Sequence, residues 1–175
     1  MKSTDKVNDN SFSLTARKVL NVDLDGNASI ANNIGLPGAL VSKTITFDGA
    51  TTNDIGDYDG TGNPGTLFTV TGLVAVSIVG VCTTVIAGGS STVEVGTSAS
   101  TAALIALTTG TEIDANEIWH DASPDASIEL TSVMKLNLVS DDIILTVKTA
   151  NVTSGVIDFH LMWTPISPDG NVVAA

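Results

Sequence analysis

At 175 residues and 43% hydrophobic content, the chain is long enough for one domain with an appendage and apolar enough to bury a core. Only 15% of its residues are charged and its net charge is -12, which excludes a nucleic-acid-binding body, because phosphate recognition needs clustered Lys and Arg. Cys82 is the single cysteine, which excludes an intrachain disulfide and a cysteine-based zinc site.

Charge divides the chain into unlike parts. In residues 1–40, Lys2, Lys6, Arg17 and Lys18 balance Asp5, Asp9, Asp23 and Asp25. From Val41 onward only Lys43, Lys135 and Lys148 oppose fifteen acids. Residues 1–40 therefore read as an extended N-terminal arm and linker, and 41–175 as the body. The arm has no apolar h-region of the secretory kind. It holds a short alternating patch around Val19, Val22 and Leu24, the turn Asp25-Gly26-Asn27, and the linker ANNIGLPGAL. A segment this polar cannot bury a core of its own, so it is expected to order on a partner surface.

Val41–Asp48 predicts a first body strand with Val41, Lys43, Ile45 and Phe47 on one face. Residues 49–66 form a long acidic loop. The uncharged segment 67–86 is long enough to test as a membrane span. Its β-branched content, its lack of flanking cations and the alternation of Phe68, Val70, Val74, Val76 and Ile78 favour strands instead. It reads as one long strand or two, bent at Gly72 or Gly80. Ala87–Ser90 reads as a hairpin turn, with Ser91–Thr97 returning as the partner strand. Residues 99–109 are expected to be a short helical or irregular connector packing Leu104, Ile105 and Leu107. Further strands are expected at 127–139, 143–149 and 155–166, followed by an extended tail. Short strands, Gly/Asn/Asp turns and no long amphipathic helix predict an all-β fold: an antiparallel sandwich or jelly roll carrying the arm.

The acidic loop has the best ligand potential. D-Y-D-G-T-G-N (57–63) spaces oxygen ligands around a glycine bend, so Asp54, Asp57 and Asp59 are calcium candidates. The closing Glu of an EF-hand is missing, and Asp or Asn beside Gly is also ordinary turn chemistry. His120, Asp121 and Ser123 are too close in sequence for triad geometry. Glu112, Asp114 and Glu117 read as a solvated acidic edge rather than a glycosidase pair. Trp119 and Trp163 read as core residues, with an intersubunit contact as the alternative. The sequence predicts no catalytic residue, no cofactor and no membrane segment.

The stretches ITFDGATTNDIGDYDGTGNPGTLFTVTG (45–72), STVEVGT (91–97), IDANEIWHDASPD (113–125) and MWTPISPDGNVVAA (162–175) resemble small virion proteins of tailed bacteriophages, of the capsid decoration or head-fibre kind. KVLNVDLDGNASI (18–30) is similar to the anchoring segments that open such proteins. The resemblance implies a non-enzymatic protein made in the host cytoplasm and displayed on the capsid surface. It implies a homotrimer bound to the major capsid protein or another virion protein through Arg17, Lys18, Val19, Leu20, Val22 and Leu24. Two alternatives stand beside it: a tail-fibre or baseplate module binding host glycan, and a secreted calcium-dependent carbohydrate-binding domain.

Overall fold

The computed structural model of the chain describes residues 21–22, 28–29, 39–49, 55–128 and 135–175. It divides into two units, Met1–Pro37 and Gly38–Ala175. In the first unit, β1 (Asn21–Val22) pairs antiparallel with β2 (Ala28–Ser29). The turn expected at Asp25-Gly26-Asn27 falls between them, outside the described residues. Arg17, Lys18, Val19, Leu20 and Leu24 also lie outside them, and Val22 is seen only through its backbone pairing with Ala28.

The second unit is built almost entirely of strands. In chain order they are β3 (Ala39–Phe47), β4 (Gly65–Thr71), β5 (Val74–Ala87), β6 (Thr92–Thr97), β7 (Ser100–Thr109), β8 (Ile118–Trp119), β9 (Asn137–Val139), β10 (Ile143–Lys148), β11 (Ser154–Pro165) and β12 (Asn171–Ala174). A single 3-10 turn, Gly110–Glu112, is the helical element among the described residues. One sheet runs β3-β11-β5-β8, with β9 pairing another stretch of the β5 edge that β8 also pairs. The other runs β12-β4-β10-β6-β7, and every pairing in both sheets is antiparallel. If β3 to β8, β10 and β11 are numbered one to eight, the sheets read 1-8-3-6 and 2-7-4-5. That order is a jelly roll: two Greek keys wound into facing sheets. β12 extends the second sheet beyond β4.

The core fills the space between the sheets. Ile45, Phe47, Ile157, Phe159 and Leu161 from the first meet Phe68, Val93, Val95, Ile143 and Leu145 from the second. Period-two alternation produces this, since alternate side chains of a strand share one face. Trp119 and Phe159 meet edge to face, ring centroids 6.0 Å apart. Gly80 pairs with both residues across the sheet, and a Cβ there would stand 3.3 Å from each ring. Glycine at 80 leaves those rings room to meet.

The expected faces of the first strand and of 67–86 agree with what is observed. Gly72, at φ +66, separates β4 from β5 and divides the apolar run into two strands. Among the described residues, no helix is long and apolar enough to cross a membrane.

Several local expectations are corrected. The turn after β5 does not close a hairpin: β5 pairs β11, β8 and β9, whereas β6 pairs β10 and β7. Gly88 (φ +151) and Gly89 (φ +53) carry the chain from one sheet to the other. Within residues 99–109, Ser100–Thr109 form strand β7, not a helical connector. Register shifts against β6 let Leu104 and Ile105 both turn inward, which breaks strict alternation, and Leu107 is exposed. Hydrogen bonding to β6 overrides local propensity here. The expected tail is β12, whose Val172 enters the core. Of the strand expected at 127–139, the described residues show β9 at Asn137–Val139, and 129–134 lie outside the described residues.

Candidate functional site

The acidic loop packs against one end of the second sheet. Successive turns carry it, with Gly60 N donating to Asp57 O at 3.0 Å and Asn63 N to Gly60 O at 3.2 Å. Asn63 anchors it to a strand: its Nδ2 donates to Val147 O at 2.8 Å, and Val147 N donates back to Oδ1 at 2.9 Å. A side-chain amide here continues the β ladder on β10. The peptide from Asn63 to Pro64 is cis. On the other flank, Tyr58 N donates to Asn151 Oδ1 at 3.1 Å and Val152 N to Gly56 O at 2.9 Å.

This packing buries Asp57. Burial, then a hydrogen bond and charge from Asp59, pushes the Asp57 carboxyl above its ordinary value, and Asn151 opposes the shift. The structure thus brings together two of the three calcium candidates, Asp57 and Asp59. Asp54 lies outside the described residues. Calcium takes six to eight oxygen ligands, and among the described residues no group of three or more acidic, His or Cys side chains stands ready for a metal.

The other acidic candidates are used in turns. Asp121 Oδ1 accepts from Ser123 N at 2.7 Å, so the adjacent Ser, His and Asp form a local turn. Glu117 Oε2 accepts from Asp114 N at 2.8 Å and closes the turn before β8. Trp119 is fully buried, and Trp163 packs half-buried against the core. Cys82 is buried in the core, and burial pushes its thiol up to about 11.

Two arrangements depended on pairing that the sequence alone does not reveal. On the outer face of β6 and β10, Glu94 pairs directly across from Thr146 and is nearly sealed from solvent. Lys148 Nζ covers it at 2.6 Å from Oε1. On the outer face of β11, Asp158 accepts from Thr44 Oγ1 at 2.5 Å, and His160 Nδ1 shares a hydrogen bond with Ser42 Oγ at 2.8 Å. The alternation of VIDFHLMW already places Asp158, His160 and Met162 on one face, but their β3 and β5 partners follow only from register.

On these outer faces Thr44 with Asp158, Ser42 with His160 and Lys148 with Glu94 thus engage neighbouring strands pairwise. Compared with protein-family models, curated proteins and solved structures, the chain matches none.

Proposed function

We propose that the chain is a non-enzymatic structural protein of a phage virion that binds and reinforces the capsid surface, with its N-terminal unit as the tether to the major capsid protein or a neighbouring shell protein. One observation carries the reading: the chain divides into a short N-terminal unit and a jelly-roll body. A jelly roll is a frequent shell-building module. The polar groups of this body support the reading, because Thr44 with Asp158, Ser42 with His160 and Lys148 with Glu94 tie strand to strand. Such ties suit a rigid display module. The sequence resemblance to capsid decoration and head-fibre proteins points the same way.

The test is density-gradient fractionation of a phage lysate that contains the full chain carrying an epitope tag. The protein is expected to band with intact heads. Replacing Arg17, Lys18, Leu20 and Leu24 with Ser should shift it to the soluble fractions. A wild-type chain found only in soluble fractions, or only with detached tails, overturns the proposal.

A further inference from the structure

Of the strand positions pointing outward from the β3-β11-β5 sheet, only Asp158 and His160 among the described residues carry a titratable group. The rows across these three strands are otherwise neutral, and Asp125 bridges Ile118 at the margin beyond β8. Leu40 pairs with Met162, Met162 with Ser77, and Val79 with His160. Val81 lies between Asp158 and Ile118, and Leu138 of β9 sits beside Ala75. Leu40, Leu138 and Met162 are 64%, 66% and 45% exposed. The opposite sheet instead presents the Glu94–Lys148 pair on its outer face.

We propose that this face is a self-association surface, on which a second copy of the chain packs face to face about a two-fold axis. The first argument is charge. Two copies that each carry -12 repel, and screening confines the repulsion to about 8 Å at physiological salt. Copies therefore meet most easily through a face almost free of carboxylates, and depletion of charge marks interface cores.

The second argument is complementarity. Asp158 and His160 lie two residues apart on β11, about 7 Å along the strand. Let the axis lie between the facing sheets, perpendicular to β11 and level with Phe159. It then places His160 of one copy opposite Asp158 of the other. The same operation sets Val79 against Val81 and Met162 against Val156. The titratable pair is matched with opposite partners, the apolar positions of β5 and β11 meet apolar ones, and Leu40 of β3 faces Thr46. An isologous contact of this kind needs one self-matching patch, whereas a three-fold ring needs two unlike patches. The surface therefore favours two copies over the trimer that the resemblance implies.

The third argument is size. Strand spacing and rise give the face about 20 by 25 Å, so two copies bury on the order of 1,000 Å², near the lower limit for a specific interface. A reversible dimer is expected.

Sedimentation equilibrium of the full chain in 150 mM salt, across micromolar concentrations and without particles, tests this independently of what the chain attaches to. A monomer–dimer equilibrium is expected. Met162→Glu is expected to weaken it by about tenfold or more, and Leu40→Glu, also at an exposed position, should weaken it too. His160→Asp sets two carboxylates against each other across the axis and should weaken the dimer. The swap Asp158→His with His160→Asp keeps the two-fold relation and should restore it. A monomer at all concentrations overturns the proposal. So does an oligomer of any size that is indifferent to Met162→Glu and Leu40→Glu while the variants melt as wild type. A swap that fails to recover the loss overturns the axis.

Discussion

Trp119 Nε1 donates to Thr108 Oγ1 at 2.9 Å, a side-chain hydrogen bond that joins β8 in one sheet to β7 in the other across the core. Trp119 is fully buried and Thr108 nearly so, so the bond fixes the spacing of the sheets where the Phe159 ring also packs. Trp119→Ala should cost about 3–5 kcal/mol through the cavity alone. Trp119→Phe keeps a ring but removes the donor, and should cost an additional increment of about 1 kcal/mol beyond its volume change. Urea unfolding curves for the two variants check the ordering.

The Glu94–Lys148 pair is asymmetric: the Glu94 side chain is 3% exposed and that of Lys148 46%. Removing the cation strands a buried carboxylate. Lys148→Met should therefore destabilise the fold by about 2–4 kcal/mol, somewhat less than the loss of one partner of a fully buried pair, because Lys148 is half exposed. Adding Glu94→Gln to Lys148→Met should recover part of the loss, because no buried charge is then left uncompensated. Equal costs for the single and double variants would contradict this account, and a double-mutant cycle in urea reads it directly.

Three carboxylates give the fold opposite pH responses. The Ser98 hydroxyl, and then the Asp142 amide, hold Asp141 below its ordinary 3.8. The Ser167 hydroxyl holds Asp169 down in the same way. A carboxyl with a lowered folded value contributes stability above its unfolded value and loses it as pH falls through the folded one. Ser98→Ala should therefore lower the melting temperature at pH 6 and have little effect well below the lowered value. Asp57 has the reverse sign. Its raised value means its contribution is full below 3.8 and is lost as pH rises through the raised value. Asp57→Asn, neutral at all pH, should raise the melting temperature at pH 7 relative to wild type, with the gain vanishing in acid. Thermal melts across pH 2–7 test both signs.

Cys82 sits fully buried on β5, with its thiol raised to about 11 by burial and then by the charges of Glu117 and Asp114, against hydrogen bonding from Thr84. The nucleophile is the thiolate, which is scarce at that value and shielded by the core. Alkylation by iodoacetamide at pH 8 should be slow in the native protein and fast in denaturant. Rapid labelling under native conditions would place the thiol outside the core.

The fold class and much of the core are legible in the chain's local patterning. Alternation at Phe68, Val70, Val74, Val76 and Ile78 is a local property of the chain, and it carries straight into the sandwich interior because a strand's faces repeat every two residues. Charge patterning likewise reveals an acidic body with a neutral N-terminal segment. Which strands pair is set only in three dimensions. Gly88-Gly89 supports a hairpin and a crossing between sheets equally well, and only the ladders to β10 and β11 separate the two. Residues 99–109 carry small and β-branched side chains with two adjacent inward positions, a pattern that no single period describes, and β6 alone makes them a strand. The same holds for the sites. The burial of Asp57 depends on Asn63 reaching Val147, 84 positions away, and the neutral outer face exists because β3 and β5 flank β11 in one particular register. Long-range pairing leaves no local trace, since each strand shows only its own alternation and not the partner that completes it.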